Sequence, residues 1–424
     1  MKPAALILGI EPRITIPIAR SLHRYGVPVD TAALSTTEPS PRSRVVRKSS
    51  LLPDPSHSSF LDALTALISA QGYDTLIPAT DAALAAISAH DEALRRLLHL
   101  ACPASRVVQR VLDKSVTLKI AQECGITIPR SYRARSLAEL EALAPELQFP
   151  VVVKPFHKSK ETDFKVRYFR NIDELRDAME ADEELGSRIL LQEYCPGDGV
   201  GVEMLIHQGE AIATFQHRRL KEVPSTGGAA VVAIAEQPDP ELVRQALILL
   251  RAIEWEGVAM VEFRFNRADR RSALMEVNGR YWGTLALPIH AGVDFPLYEW
   301  QIAHGETPSL APSYVVGTRW RWTAGYMRRW HGLLKGSLKR ALSRPSVLLE
   351  LVPSVTDISP GTRDSLFTFG DPLPAVSETL RTLAASVSSD LSAVRRRARP
   401  RATVNHTRES VAVRVESDVE GNVH

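Results

Sequence analysis

With 424 residues the chain is too long for one ordinary hydrophobic core, so two or three domains are expected. A hydrophobic fraction of 44% and a charged fraction of 24% are those of a soluble globular protein and exclude a wholly disordered or fibrous chain. The net charge of +3 gives no general attraction to nucleic acid, and no apolar run approaches the ~18 residues of a membrane span. The three scattered cysteines (Cys102, Cys124, Cys195) fit reduced thiols in the cytoplasm.

The run Ala4-Ala5-Leu6-Ile7-Leu8 predicts a strand covered on both faces. Glu11 and Arg13 follow at once, which suits a buried first strand better than a signal peptide. Ile14, Ile18, Leu22 and Tyr25 recur with helical spacing, Gly26 stops that helix, and Val27-Pro28-Val29 begins a second strand. A helix over residues 60–70, a strand at 75–78 and a helix from Asp81 complete a strand–helix alternation that implies a parallel sheet. Residues 9–13 lack a GxGxxG fingerprint, so this unit reads as a doubly wound packing domain.

From Asp113 the pattern changes to α+β. A helix over residues 114–124 is capped by Gly125, and Phe149-Pro150-Val151-Val152-Val153-Lys154-Pro155 predicts a short strand ending in a lysine. Another strand spans residues 189–194, followed by a turn at Pro196-Gly197-Asp198-Gly199. Strands at 201–207 and 211–217 flank the hairpin signal Gln208-Gly209, and strands at 259–266 and 273–278, after a helix over 240–254, flank a polar turn at 267–271. Beyond Gly305 the periodicity weakens. Trp322, Tyr326, Trp330, Leu334, Leu338 and Leu342 recur near i+4 among Arg321, Arg328, Lys335 and Lys339. Such a stripe fits either peripheral membrane contact through residues 319–342 or a helix docked on the body. From Val394 the chain is basic and then polar, a composition expected to be disordered.

The strongest chemical signal is Val261-Glu262-Phe263 followed by Met275-Glu276-Val277-Asn278-Gly279-Arg280. Side chains two apart on a strand share a face, so Glu276, Asn278 and Arg280 point one way, and the hairpin brings Glu262 alongside. Two carboxylates and an amide oxygen suit a hard cation such as Mg²⁺; the alternative is a solvated charged face with surface ion pairs. Lys154, on a rigid Val-rich strand, requires an anion, either a phosphate or a structural carboxylate. Lys114 at a helix start reads equally as a solvated lysine, and Gln192-Glu193-Tyr194-Cys195-Pro196-Gly197 can offer backbone groups to an adenine edge.

In this order the pieces resemble the ATP-grasp superfamily, in particular its carbamoyl-phosphate-synthase-like carboxylate–amine ligases: a lysine at a helix start, Lys-Pro after a Val-rich strand, Glu-Tyr-x-x-Gly, then Glu and Glu-x-Asn-x-Arg. The resemblance covers roughly residues 110–305. It implies an α/β plus α+β chain. A small parallel-sheet domain (1–110) precedes a two-lobed ATP-grasp domain (111–305), a C-terminal extension with a basic, aromatic helix (306–393) and a disordered tail (394–424). It also implies that Lys114 and Lys154 hold ATP phosphates and that Gln192, Glu193 and Tyr194 line the nucleotide pocket. Glu262, Glu276 and Asn278 would hold Mg²⁺, with Mn²⁺ as an alternative, and Arg280 would face the transferring phosphoryl group or the acceptor carboxylate. Residues 216–221 with Ser225-Thr226-Gly227-Gly228 then read as a substrate-side loop. There Arg218 and Arg219 suit an anion and Gly227 and Gly228 an anion nest, or the segment is a solvated basic hairpin.

Two departures stand out. Residues 156–162 lack the glycine-rich stretch that many members fold over the phosphates, and the acidic ribose ligand after the hinge is represented only by Asp198. Cys195 lies in the hinge and His217 has no evident partner, so no covalent enzyme intermediate is expected. The expected function is ATP- and Mg²⁺-dependent activation of a small carboxylate and its ligation to an amine in the cytoplasm, without nucleic acid. The alternatives are a non-catalytic nucleotide-binding protein, a different nucleophile, or bicarbonate as the acceptor.

Overall fold

The first sheet is built from β1 (Ala4–Leu8), β2 (Val29–Ala33), β3 (Val46–Leu51), β4 (Tyr73–Pro78) and β5 (His99–Leu100). The strands are parallel, in the order β3-β2-β1-β4-β5. β1 is buried end to end because helices cover both faces. Ala5 and Ile7 share a core with Ile14, Ile18 and Leu22 of the helix Pro12–Arg24. Leu6 and Leu8 share another with Phe60, Leu64, Leu84 and Ile87. The chain winds outward from β1 to β2 and β3, then returns to place β4 on its other side. This reversal opens a crevice at the C-terminal ends of β1 and β4, where α/β sheets bind ligands. The computed structural model describes residues 3–155, 167–182, 189–224, 228–308, 310, 313–341 and 361–398.

A small lobe follows. β6 (Ser131–Tyr132), β7 (Val151–Pro155), β8 (Arg167–Phe169) and β9 (Ile189–Glu193) form an antiparallel sheet in the order β6-β9-β7-β8. Val151, Val153 and Leu191 pack there with Leu140, Leu175 and Met179 from the helices Leu137–Leu143 and Ile172–Ala181.

The large lobe is a seven-stranded sheet of β10 (Asp198–His207), β11 (Glu210–Val223), β12 (Ala229–Ala235), β13 (Gly257–Asn266), β14 (Arg271–Asn278), β15 (Arg319–Arg321) and β16 (Thr362–Asp364). Its order is β14-β13-β10-β11-β12-β15-β16. Gln208 and Gly209 turn β10 into β11 with φ of 53° and 76°, the two positive values that a type I′ hairpin requires. Val200, Val202, Met204 and Ile206 of β10 bury against Leu242, Leu249, Leu250 and Ile253 of the helix Pro240–Ile253. Other side chains of the same sheet, among them Leu205, Phe215, Ala233 and Met260, share a core with the helix Pro12–Arg24.

Several expectations change. Asp198 and Gly199 are not turn residues; they open β10, where Asp198 pairs with Phe265. Residues 216–221 are not a loop but the middle of β11, a strand with neighbours on both sides. Residues past Gly305, where periodicity fades, contribute β15 and β16 to the large sheet; three-residue strands are too short to show a period. The helix Leu373–Ala398 runs past Val394, through a stretch rich in the strong helix formers Arg and Ala, and residues 399–424 lie outside those described.

The chain divides into two compact units, Met1–Leu383 and Ala384–His424, and the described part of the second is helical as far as Ala398. In the helix Thr323–Ala341, Tyr326 is buried and Trp330 is partly buried against the same core as Trp320 and Trp322, so the described part of the aromatic stripe is docked on the body. The side chains of Leu334 and Leu338, and residue Leu342 altogether, lie outside those described. Among the described residues no helix is long and apolar enough to cross a membrane.

Candidate active site

The register of the β13–β14 hairpin sets the site. Met260 pairs with Asn278 and Glu262 with Glu276, and a bulge at Met275 follows, so that Phe263 pairs with Leu274. Glu262 and Glu276 therefore stand directly opposite each other. Like charges at such a position repel, and each is compensated by a cation from elsewhere in the chain. The Arg219 guanidinium on β11 hydrogen-bonds Glu262 through Nη2. Its Nη1 reaches Glu222 at 3.5 Å and donates to the Gly228 carbonyl at 3.2 Å. Burial works against the Arg219 charge, but Glu262 and Glu222 outweigh it and raise its pKa. Lys114 Nζ lies 2.8 Å from Glu276 Oε2, brought there by the helix Lys114–Glu123, whose N-cap is Asp113. Asn278, two residues from Glu276 and on its face, donates Nδ2 to Glu276 Oε1 at 3.4 Å.

These groups open on a cavity of about 280 Å³. Glu262, Glu276, Asn278, Arg219 and Arg280 line it on one side. Glu11, Arg13, Thr80 and Asp81, from the N-caps and first turns of the helices that follow β1 and β4, line it on the other. The cavity thus meets the crevice of the first sheet. Arg280 lies two residues past the end of β14 and is held by Asp81 through Nε (2.8 Å) and Nη2 (3.0 Å), with Nη1 donating to the Tyr281 carbonyl at 2.8 Å. Glu11 caps the helix Pro12–Arg24 and accepts Arg13 Nε at 2.8 Å. Burial alone would raise the Glu11 carboxyl, yet Arg13 and Arg280 hold it below the usual carboxylate range.

Among the residues singled out from sequence, Glu262, Glu276, Asn278, Arg280, Arg219 and Lys114 come together. Arg218 does not: strand alternation turns it away from Arg219, to Glu236 (2.6 Å) and Asp198 (3.6 Å). Gln192, Glu193 and Tyr194 lie at the join from β9 to β10. Gln192 is buried and donates to Ser131 Oγ at 3.1 Å, Glu193 pairs with Arg130 at 3.1 Å, and exposed Tyr194 meets Tyr168 edge to face at 6.2 Å. The backbone of Lys154 pairs with Leu190, while its side chain, residues 156–162 and Ser225, Thr226 and Gly227 lie outside the described residues.

Sequence reasoning missed Glu11, Arg13 and Asp81. The available signal was positional: they follow β1 and β4, the two strands that flank a doubly wound switch point. It also missed the partner of His217, whose Nδ1 lies 2.5 Å from Glu203 Oε1 with both side chains fully buried. Burial raises the Glu203 pKa, and His217 offsets this only in part.

The donor set fits Mg²⁺. Its groups are oxygen donors on adjacent strands. Two carboxylates and an amide leave positions for phosphate oxygens and water, the usual way this ion is held.

Residues 186–325 match a family model described as ATP-grasp in the biosynthetic pathway with Ter operon. The chain is 25% identical over 184 residues to D-alanine--D-alanine ligase of Chlorobaculum tepidum, covering 39% of this chain and 50% of the relative. It thus spans about half the length of the curated relative it matches. Among solved structures, L-amino acid ligase from Bacillus licheniformis superposes with a TM-score of 0.58 at 20% identity, over 71% of this chain and 74% of that one. Biotin carboxylase from Campylobacter jejuni, solved as a β-γ-ATP complex, gives 0.58 at 14% identity over 75% and 74%. Residues 186–325, which carry the paired-carboxylate hairpin, are thus similar to an ATP-grasp family, and the small parallel sheet with the two lobes that follow it has the fold of these solved ligases and carboxylases.

Proposed function

We propose that the chain uses ATP and Mg²⁺ to activate a carboxylate as an acylphosphate and joins it to an amine, releasing ADP and phosphate. The observation that carries this is the Glu262–Glu276 pair, each member held by a cation, lining one cavity together with Asn278 and Arg280. The similarity to two amide-forming ligases supports the same chemistry. In this assignment residues 1–110 are the domain that precedes an ATP-grasp domain of 111–305, residues 306–393 complete its sheet and substrate side, and the enzyme works in the cytoplasm, where ATP is supplied.

Glu262, Glu276 and Asn278 would hold Mg²⁺, which when bound neutralises charge on the phosphate oxygens. Lys114 and Lys154 bind phosphates, while Gln192, Glu193 and Tyr194 take the adenine and ribose. The acid's carboxylate oxygen attacks the terminal phosphorus, and the bond to ADP breaks. Arg219, and Arg280 held in place by Asp81, are preorganised cations on that side, where fixed charge stabilises the spreading negative charge. The amine then attacks the acyl carbon and phosphate leaves.

A screen of amino acids and small dicarboxylates for acid-dependent ADP release, with hydroxylamine to trap the acylphosphate, tests this. Hydroxamate formation is expected. ATP binding without acid-dependent ADP release from any member would replace the ligase with a nucleotide-binding protein, and ADP release with bicarbonate alone would move the acceptor to carboxylation.

A further inference from the structure

Arg13 is held on three sides. Its Nε donates to Glu11, its guanidinium lies 4.0 Å over the Trp322 ring, and Gly283 borders it so closely that a Cβ there would sit 2.9 Å from Nη1. The side chain is 16% exposed, and among the described residues neither Nη1 nor Nη2 makes a hydrogen bond to protein. A desolvated guanidinium fork with unused donors is ready for an anion that can accept two hydrogen bonds. Trp282 lines the same cavity, is 1% exposed, and among the described residues its indole N–H has no partner.

A second cation stands close by. Arg328 lies 5.4 Å over the Trp322 ring that Arg13 also covers, so two cations share one indole.

We propose that Arg13 determines substrate specificity: its free Nη edge binds a second anionic group, a carboxylate or a phosphate, carried by the acid whose other carboxylate is activated. This rests on the ligation proposed above. The acid would therefore be a dicarboxylic or phosphorylated one rather than a simple monocarboxylate, and Trp322 of the C-terminal extension would be part of the selection.

Isothermal titration of the full chain loaded with Mg²⁺ and a non-hydrolysable ATP analogue tests it with succinate, inorganic phosphate and propionate. Succinate, phosphate or both should bind at least ~10-fold tighter than propionate, and which one does identifies the anion. Arg13→Met should weaken that binding roughly 10- to 100-fold while leaving nucleotide affinity unchanged. Arg13→Lys should retain part of it, and Gly283→Ala, which displaces the guanidinium without removing its charge, should lose part of it. Equal binding of all three probes by the wild type would overturn the proposal, as would wild-type affinity in Arg13→Met. If Arg13→Met fails to fold, the Gly283→Ala and Arg13→Lys titrations decide. No turnover is needed, so absence of acid-dependent ADP release would refute the ligation while leaving the anion site to be judged by these titrations.

Discussion

Glu276→Gln changes one atom and removes one charge at the centre of the proposed metal site. The effect on the nucleotide-free protein should be small. Glu276 is 23% exposed and its partner Lys114 40%, so their 2.8 Å ion pair is a half-solvated one worth at most about 1 kcal/mol. Its loss is also offset, because the repulsion from Glu262 directly across the hairpin disappears with it. At this chain length ~1 kcal/mol moves the melting temperature by only about 2–4 °C. The effect on turnover should be large. If the pair supplies the charge that holds Mg²⁺ on the phosphates, its loss removes about 3 kcal/mol or more of transition-state stabilisation. At about 1.36 kcal/mol per decade that is ~10²-fold in rate. ADP release measured across a Mg²⁺ titration, beside thermal denaturation of the apo protein, reads both quantities. Wild-type turnover at low Mg²⁺ and saturating ATP would refute the metal assignment, and a large loss of apo stability would show that Glu276 is chiefly structural.

Three further substitutions probe other parts of the molecule. Lys154→Met is expected to weaken ATP binding without lowering the melting temperature of the apo protein; calorimetry showing lost apo stability with intact ATP affinity would make Lys154 a structural ion-pair member. Gly201→Ala places a Cβ 2.4 Å from His217 Cε1, so it should destabilise by roughly 1–3 kcal/mol in chemical denaturation, and a neutral result would mean that the buried Glu203–His217 pair yields easily. Burial pushes Glu299 up to about 7, only partly offset by hydrogen bonds from Tyr281 and the Val258 N–H. The folded state thus favours its neutral form, and stability should fall as pH rises from about 4.5 through 7. Glu299→Gln should flatten that part of the stability profile by ~3 kcal/mol at most, and an unchanged slope would exclude Glu299 as its source.

The parts of this fold that announce themselves in sequence are those with a period. β1 is a continuous apolar run because helices cover both of its faces, and Glu276 and Asn278 share a face because a strand repeats every two residues. That Glu262 lies alongside the Glu276 strand was legible for a local reason too. The hairpin joining β13 to β14 is short, and placing the two strands side by side leaves little freedom over which residues meet. Even there the bulge at Met275 was invisible, although it brings Glu276 rather than Met275 opposite Glu262.

What sequence could not show depends on packing between distant segments. Arg218 and Arg219 are indistinguishable as letters in a basic stretch. They separate only once β11 is known to be an interior strand, one side chain going to Glu262 and the other to Glu236. Residues 9–13 looked like a plain loop because they lack a phosphate-binding fingerprint, and a fingerprint reports one ligand chemistry only. Their importance comes from the strand order: β4 returns beside β1, so Glu11 and Arg13 meet Asp81, and Asp81 in turn holds Arg280 from 199 residues away. The same logic governs Trp322. The aromatic stripe at helical spacing fitted either a lipid surface or a helix docked on the body; β15 pairs with β12, and Trp322 just beyond it lies under the Arg13 guanidinium. Its neighbours in sequence favour docking on the body over a lipid surface, but they do not say on what it docks; that follows from the sheet register.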